Sequence, residues 1–373
     1  MNYSIDTKAL LDRFLAYVQI DSETGDEAAM TERLIKDFTE LGCTVTTDDV
    51  KEAAKTNGAN VYAVLEGDPS LPAVLFSSHM DTVTPGKGIK PQVDPDGYVR
   101  SDGTTVLGGD DKAGICAIME AVKALKLVEK RPTVEVVITV REEGGLHGSK
   151  NLDYSRLNSK FAVILDSSGG PDKVITAAPG QSKIIATVIG KAAHAGIAPE
   201  EGISAIAVAS HAVSQMNLLR IDEETTCNIG TFTAIGATNI VAPKAELVLE
   251  CRSRNTDKLM KQTEHLVGCL KDACEKFGAT LEHTVDTSYL AYSHAEDSHL
   301  VKSVFEAARA SGLTPKAAAS GGGSDANIFN QNGITAVNLG VGMEKVHTTS
   351  EQQNIEQMNQ GAELCYQLVK AWK

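Results

Sequence analysis

Basic residues are in short supply: Lys and Arg total 35 against 49 Asp and Glu in 373 residues, a formal charge of −14. Nucleic-acid binding needs clustered cations that displace counterions from phosphates, so this balance excludes that class of partner. Long apolar runs are also missing, and none approaches the roughly 20 residues of a membrane span. The opening residues Met1-Asn2-Tyr3-Ser4-Ile5-Asp6 lack the basic start and apolar core of a secretory signal. The seven cysteines contain no CxxC pair, the nearest two being Cys269 and Cys274, which excludes a zinc ribbon and a disulfide frame. The expectation is a cytoplasmic protein with reduced, packed thiols, no nucleic-acid partner and no membrane partner. Any bound metal must be held by His and carboxylates.

What is present is a composition, 42% hydrophobic and 23% charged, able to build a sizeable core, over a length that suggests two domains. Helical spacing of Leu10, Leu11, Phe14, Leu15 and Val18 predicts an amphipathic helix over 6–20. A second is expected from Asp26, as N-cap, to Leu41, with Gly42 as the stop. Short apolar runs then read as strands: Val61–Leu65, Ala73–Ser77, Val134–Val140, Ala162–Leu165 and Ile334–Leu339. With a helix over Ala113–Lys126 between them, they predict an α/β fold, a mixed sheet with helices on both faces.

Between about 180 and 290 the order changes to strand, helix, strand, strand, helix, strand. The ranges are Lys183–Ile189, Pro199–Leu219, Thr226–Thr233, Glu246–Cys251, Thr256–Phe277 and Thr280–Tyr289, the split βαβ pattern of a ferredoxin-like α+β domain. The expected organisation is a discontinuous α/β domain, 1–179 and 293–373, interrupted by an inserted domain at 180–292.

The ends of the apolar strands carry the chemistry. One strand ends in His79-Met80-Asp81, and another in Arg141-Glu142-Glu143-Gly144-Gly145. A third ends in Asp166, the last runs out to His347, and Gly108-Gly109 leads into Asp110-Asp111-Lys112 at a helix start. Ligands of open α/β sheets sit outside the carboxyl ends of the strands, so these segments converge on one edge. Each has an ordinary explanation alone: a hydrogen-bonded HxD pair, an N-cap, a solvated turn. Together they would repel one another unless a cation were shared. Two imidazoles with three or more carboxylates suffice for two divalent ions, and nitrogen and oxygen ligation without thiolate suits Zn²⁺, Mn²⁺ or Co²⁺. Such a pair of ions activates a water and polarises a carbonyl. Asp81 can orient the His79 imidazole. If the Glu142–Glu143 segment is extended, one side chain can ligate while its neighbour serves as a free general base.

The segments SSHMD, GGDDKAG, REEGG, LDSSG, KAAHAG, GGGSDAN and the late VH resemble the M20 family of co-catalytic zinc peptidases and deacylases, over essentially the whole chain. The Asp doublet of GGDDKAG and the Asp at 166 are most similar to its peptidase T branch, which removes the N-terminal residue from tripeptides. The resemblance implies a metallo-aminopeptidase with two Zn²⁺ per subunit, and a homodimer formed through the inserted lid. It also implies that Asp110 bridges the ions, with His79 and Asp166 at one and Glu143 and His347 at the other. Glu142 would be the general base, Asp81 the group that orients His79, and the Asp110–Asp111 bond cis. His194 would stabilise the oxyanion in the partner subunit's site. The remaining alternatives are an N-acyl amino acid deacylase or carboxypeptidase of the same fold, and a non-catalytic metal-binding scaffold.

Substrate-binding residues are less sharply marked. Arg252 suits a peptide carboxylate because its fork binds both oxygens, with Arg254 as competitor on the same strand face. Asn239 lies across the same hairpin. Gly321-Gly322-Gly323-Ser324-Asp325 lacks the Lys-Ser/Thr ending of a phosphate loop, and Gly322 and Gly323 are read as backbone that approaches substrate.

Overall fold

The structure, a computed structural model, describes residues 5–372, so the reading of Met1–Ser4 lies outside the described residues. Asp6 accepts the Ala9 N–H at 3.0 Å and caps the helix Thr7–Val18, which buries Leu10, Phe14, Tyr17 and Val18. Each such side chain contributes about 1.5–3 kcal/mol of burial. The second helix, Ala28–Glu40, corrects the expected cap. Its N-terminal residue Glu27 makes no side-chain cap, and Asp26 instead accepts from Lys87 Nζ at 2.8 Å and Asn57 Nδ2 at 2.7 Å. Partners distant in sequence took the carboxylate from its local role. Gly42, at φ +83°, turns the chain into the strand Thr44–Thr47.

The chain divides into two compact units, one comprising Met1–Ala177, His294–Ser320 and Ser324–Lys373, the other Ala178–Ser293 with Gly321–Gly323. In the first, Thr44–Thr47 pairs antiparallel with Val61–Leu65, which pairs antiparallel with Val134–Thr139. Then Val134–Thr139, Val74–His79, Phe161–Ser168 and Thr335–Glu344 lie side by side, all parallel. Every residue of Val74–His79 and of Val134–Thr139 is buried, which requires cover on both sheet faces. The helix Gly109–Leu125 is buried along nearly its whole surface, between the sheet and the helices Thr7–Val18 and Ile355–Ala371.

The second unit is an antiparallel sheet in the order Leu219–Arg220, Thr225–Thr233, Lys244–Ser253, Gly180–Ile189, Thr280–Tyr289. Along Gly180–Ile189 burial alternates, with Ile184, Ala186 and Val188 under the helices Ala205–Gln215 and Thr256–Phe277 while Ile185 is exposed. The helix expected over Pro199–Leu219 is shorter than its pattern. A 3₁₀ turn covers Pro199–Glu201, and Ile203 exchanges backbone hydrogen bonds with Lys191 at 2.9 Å in both directions. That pairing holds 203 extended, so the α-helix starts only after Ser204, which caps Ala207. Among the described residues no helix is long and apolar enough to cross a membrane.

Candidate metal centre

Four parallel strands deliver their carboxyl ends to one edge of the first unit. His79 closes its strand fully buried, and its Nδ1 donates to the Asp81 carbonyl oxygen at 3.0 Å, with the Asp81 carboxylate at 3.4 Å. A carbonyl only accepts, so Nδ1 carries the proton and Nε2 is the nitrogen left for a cation. That Nε2 lies 3.1 Å from Asp110 Oδ1 and 3.8 Å from Asp166 Oδ1.

Asp110 stands at the start of the helix Gly109–Leu125, where Asp110 and Asp111 depart from helical dihedrals and the bond between them is cis. Its two oxygens face different imidazoles: Oδ1 faces His79, and Oδ2 lies 3.3 Å from Nε2 of His347. Asp111 turns inward and accepts from Ser78 Oγ at 2.5 Å through Oδ2, while its buried Oδ1 has no hydrogen-bond partner among the described residues. The helix comes this close to the strands only because residue 114 is glycine. A Cβ there would stand 2.5 Å from the Leu165 carbonyl and 2.6 Å from Asp111 Oδ1.

Glu142 and Glu143 follow the strand Val134–Thr139 in a turn, not in the extended segment expected from sequence; Arg141 before them has φ +48°. Alternation along a strand therefore does not separate their side chains. The turn sets Glu142 beside His79 and Asp166 and Glu143 beside His79 and Asp110, and Asp81 holds it: its carboxylate accepts the Glu142 N–H at 2.9 Å, the Glu143 N–H at 3.3 Å and the Thr24 hydroxyl at 2.7 Å. Asp81 thus touches both the imidazole and the acidic turn. Glu143 Oε1 lies 2.8 Å from His347 Nε2. His347 is half-exposed and sits at φ +62°, a left-handed conformation uncommon outside glycine that is often kept at functional sites.

The electrostatics follow from this crowding. Burial pushes the Glu142 carboxyl well above the ordinary Glu range; Asp325, Glu143 and Asp81 add to that, and His79 opposes it. Burial raises Asp166 and Asp111 in the same way, reinforced by neighbouring carboxylates. Burial alone would lower His79, but hydrogen bonds to Asp110 and Asp81 and the charges of Asp166 and Glu142 outweigh it and carry it well up. His347 is pushed up to about 10 by its hydrogen bonds to Asp110 and Glu143. Donor atoms of His79, Glu142 and Asp166, of His79, Asp110 and Glu143, and of Asp110, Asp111 and Asp166 lie within 4.8 Å of one another in each group. Every donor is nitrogen or oxygen, which fits two Zn²⁺-class ions and makes this a dinuclear metal centre.

The residues predicted from the second unit fall at separate places within it. His194 is exposed on a loop, its Nδ1 accepting from the Gly196 N–H at 3.2 Å; the backbone beside it, Ala195 N–H, donates to the Asn239 carbonyl at 2.9 Å. The structure therefore brings the His194 and Asn239 loops together. Arg252 pairs side-on with Glu250, Nε to Oε1 at 3.1 Å and Nη2 to Oε2 at 3.2 Å, whereas Arg254 Nη2 donates to the Glu223 carbonyl. Gly322 lies beside Arg252, a Cβ there being 3.6 Å from Nη1. Gly323 is pressed on the Tyr289 ring, only 2.2 Å from where its Cβ would be, so packing already accounts for this glycine.

Three supporting residues escaped the sequence reading. Asn338, on the neighbouring parallel strand, clamps the Asp166 backbone, accepting its N–H at 2.9 Å and donating to its carbonyl at 2.6 Å. Asp325 accepts from Thr139 Oγ1 at 2.6 Å and from Ser149 Oγ, a fully buried carboxylate behind Glu142. Glu351 accepts three backbone N–H groups around Asp110. No local spacing marks any of these, because each pairing joins segments far apart in the chain; only the buried carboxylate of GGGSDAN stood in a noted motif.

Comparison with known proteins agrees with this geometry. Residues 75–371 match the family model described as peptidase family M20/M25/M40. The protein YqjE of Bacillus subtilis is 41% identical over 98% of this chain and 99% of its own length. Peptidase T of Clostridium perfringens is 26% identical over 98% of this chain and 99% of its length. Among solved structures, the aminopeptidase PepT of Bacillus cereus shares 41% identity and a TM-score of 0.93, with 98% of each chain covered. A tripeptidase of Staphylococcus aureus shares 40% identity and a TM-score of 0.95, with 99% of each covered.

Proposed function

From its membership of peptidase family M20/M25/M40, to which this chain belongs, we propose that it is an aminopeptidase of short peptides, a tripeptidase by preference, with Asp110 as the bridging ligand of its metal pair. The observation that carries this reading is the divided Asp110 carboxylate, one oxygen turned to His79 and the other to His347. His79 and Asp166 then hold one ion, and Glu143 and His347 the other. When bound, the two ions would polarise the scissile carbonyl and acidify a water.

The chain's own groups do the rest. Glu142, beside His79 and Asp166 in the turn that Asp81 holds, takes the water's proton and passes it to the leaving amine. Asp81 keeps His79 in the tautomer that offers Nε2. In a homodimer joined through the inserted unit, His194 donates to the oxyanion that develops in the partner subunit's site. Arg252, its side edge held by Glu250, keeps its Nη1–Nη2 edge for the peptide carboxylate, with Asn239 and the Gly322–Gly323 backbone as further contacts.

The test is a substrate panel: free tripeptides, their N-acetylated forms, and N-acetyl amino acids, with products identified by mass spectrometry. Release of the N-terminal residue from free tripeptides alone is the expected result. Cleavage confined to blocked substrates would favour a deacylase. Inactivity of metal-loaded protein on every substrate would favour a binding scaffold.

A further inference from the structure

Glu351 belongs to no motif and lies four residues beyond His347, almost fully buried. Its Oε2 accepts the N–H groups of Leu107 at 2.7 Å and Gly108 at 2.9 Å, and its Oε1 accepts the N–H of Asp110 at 3.0 Å. These are donors at a helix start, which local side chains usually satisfy; here the acceptor comes from more than 240 positions away. The fit is close. At residue 109 a Cβ would approach Glu351 Oε1 to 3.2 Å and Gln353 Oε1 to 3.4 Å, so Gly109 leaves the carboxylate its room. At its other end, Glu351 N–H donates to the Thr348 carbonyl at 3.0 Å, closing a turn that begins directly after His347. One short segment therefore carries the second imidazole and, four residues on, the anchor of the loop that presents Asp110.

We propose that Glu351 is a positioning residue that fixes Asp110 relative to His347 and so sets affinity for the second metal ion, an inference that rests on the bridging role of Asp110. A carboxylate can accept all three N–H groups. A glutamine amide cannot, because its NH₂ would face at least one of them, and the loop before Asp110 would shift or loosen. The support around a metal ligand typically contributes 10–100-fold in metal affinity.

The experiment compares the parent with Glu351→Gln and Gly109→Ala, which disturb the same contact from its two sides, in the full chain. Stripped protein is titrated with Zn²⁺ against a chromophoric chelator, hydrogen exchange is followed at Leu107, Gly108 and Asp110, and melting of the metal-free forms is recorded. Expected for both variants is weaker Zn²⁺ binding, most of all of the second ion, by about 10–100-fold. Faster exchange at the three amides should accompany this, together with kcat restored by added Zn²⁺ at unchanged KM. If a variant only melts earlier while both ions bind as in the parent, the role is structural and the proposal is wrong. A parent that binds fewer than two ions overturns the metal reading itself, and this inference with it; one that binds two, followed by variants that do the same, overturns this inference alone.

Discussion

One carboxylate, Asp81, pins the turn that carries two adjacent acids, Glu142 and Glu143. It accepts both N–H groups of that turn, and the proposed function gives the two acids different roles. Glu142→Gln keeps the shape but removes the basic oxygen. Its kcat should fall by about 10²–10⁴, the usual worth of general acid–base catalysis, while bound metal per chain stays at the parent value. Activity within a few-fold of the parent would remove Glu142 from the reaction. The pair and its expected division of labour were read from the sequence, but the backbone that carries it was not. An extended segment would have separated the two side chains by alternation, whereas the structure carries them on a turn beginning at a left-handed Arg141.

Elements matter here through how closely they approach. The helix Gly109–Leu125 brings Asp110 and Asp111 to the strand ends because Gly114 has no side chain to collide with the Leu165 carbonyl, one residue before Asp166. Gly114→Ala should destabilise the fold by about 1–3 kcal/mol, as overpacking does, since the obstacle is backbone that cannot step aside. It should also weaken metal binding, because relief of the clash moves the helix away from Asp166. Denaturant melts and Zn²⁺ titrations check both effects. Strand positions were legible from apolar runs, and Val61–Leu65 and Thr280–Tyr289 coincide with them. The long α-helix Thr256–Phe277 was equally legible. The strand Lys173–Ala178 and the helices His299–Ala310 and Ile355–Ala371 were not singled out, although the last two have amphipathic spacing that a fuller reading of the pattern could have found.

On the scale of the whole molecule, charge links metal, pH and stability. Without metal, His79 and His347 bind protons more tightly when folded than unfolded, so their stabilisation is full below about pH 6.5 and is lost as pH rises through the folded values. The raised Glu142, Asp166 and Asp111 act in the same direction, since folding disfavours their ionisation once pH passes the unfolded carboxyl range near 4. Asp110 is shifted down, by His347 and His79 against the effect of burial, and matters only in acid. Metal-free protein should therefore melt higher at pH 6 than at pH 8. Metal binding expels these protons, so Zn²⁺ should bind more tightly at pH 8 and raise the melting temperature by more there. Calorimetry at the two pH values, with and without chelator, decides; a metal-free form more stable at pH 8 would contradict the assignment of the buried charges.

The sequence alone determined the residue types at the strand ends, the run of α/β strands and the alternating strands between about 180 and 290, because apolar periodicity and local turn chemistry act over a few neighbouring residues. It also carried the motifs by which His79, Asp110, Glu143, Asp166 and His347 could be named. Tertiary structure decided which oxygen of Asp110 faces which imidazole, that Asp26 gives up its cap, that Asn338 clamps Asp166, and that Glu351 reaches back to the Asp110 loop. Those choices depend on segments hundreds of residues apart meeting in a desolvated interior, where an unpaired polar group is costly and the partner it finds is set by the packing of the sheet.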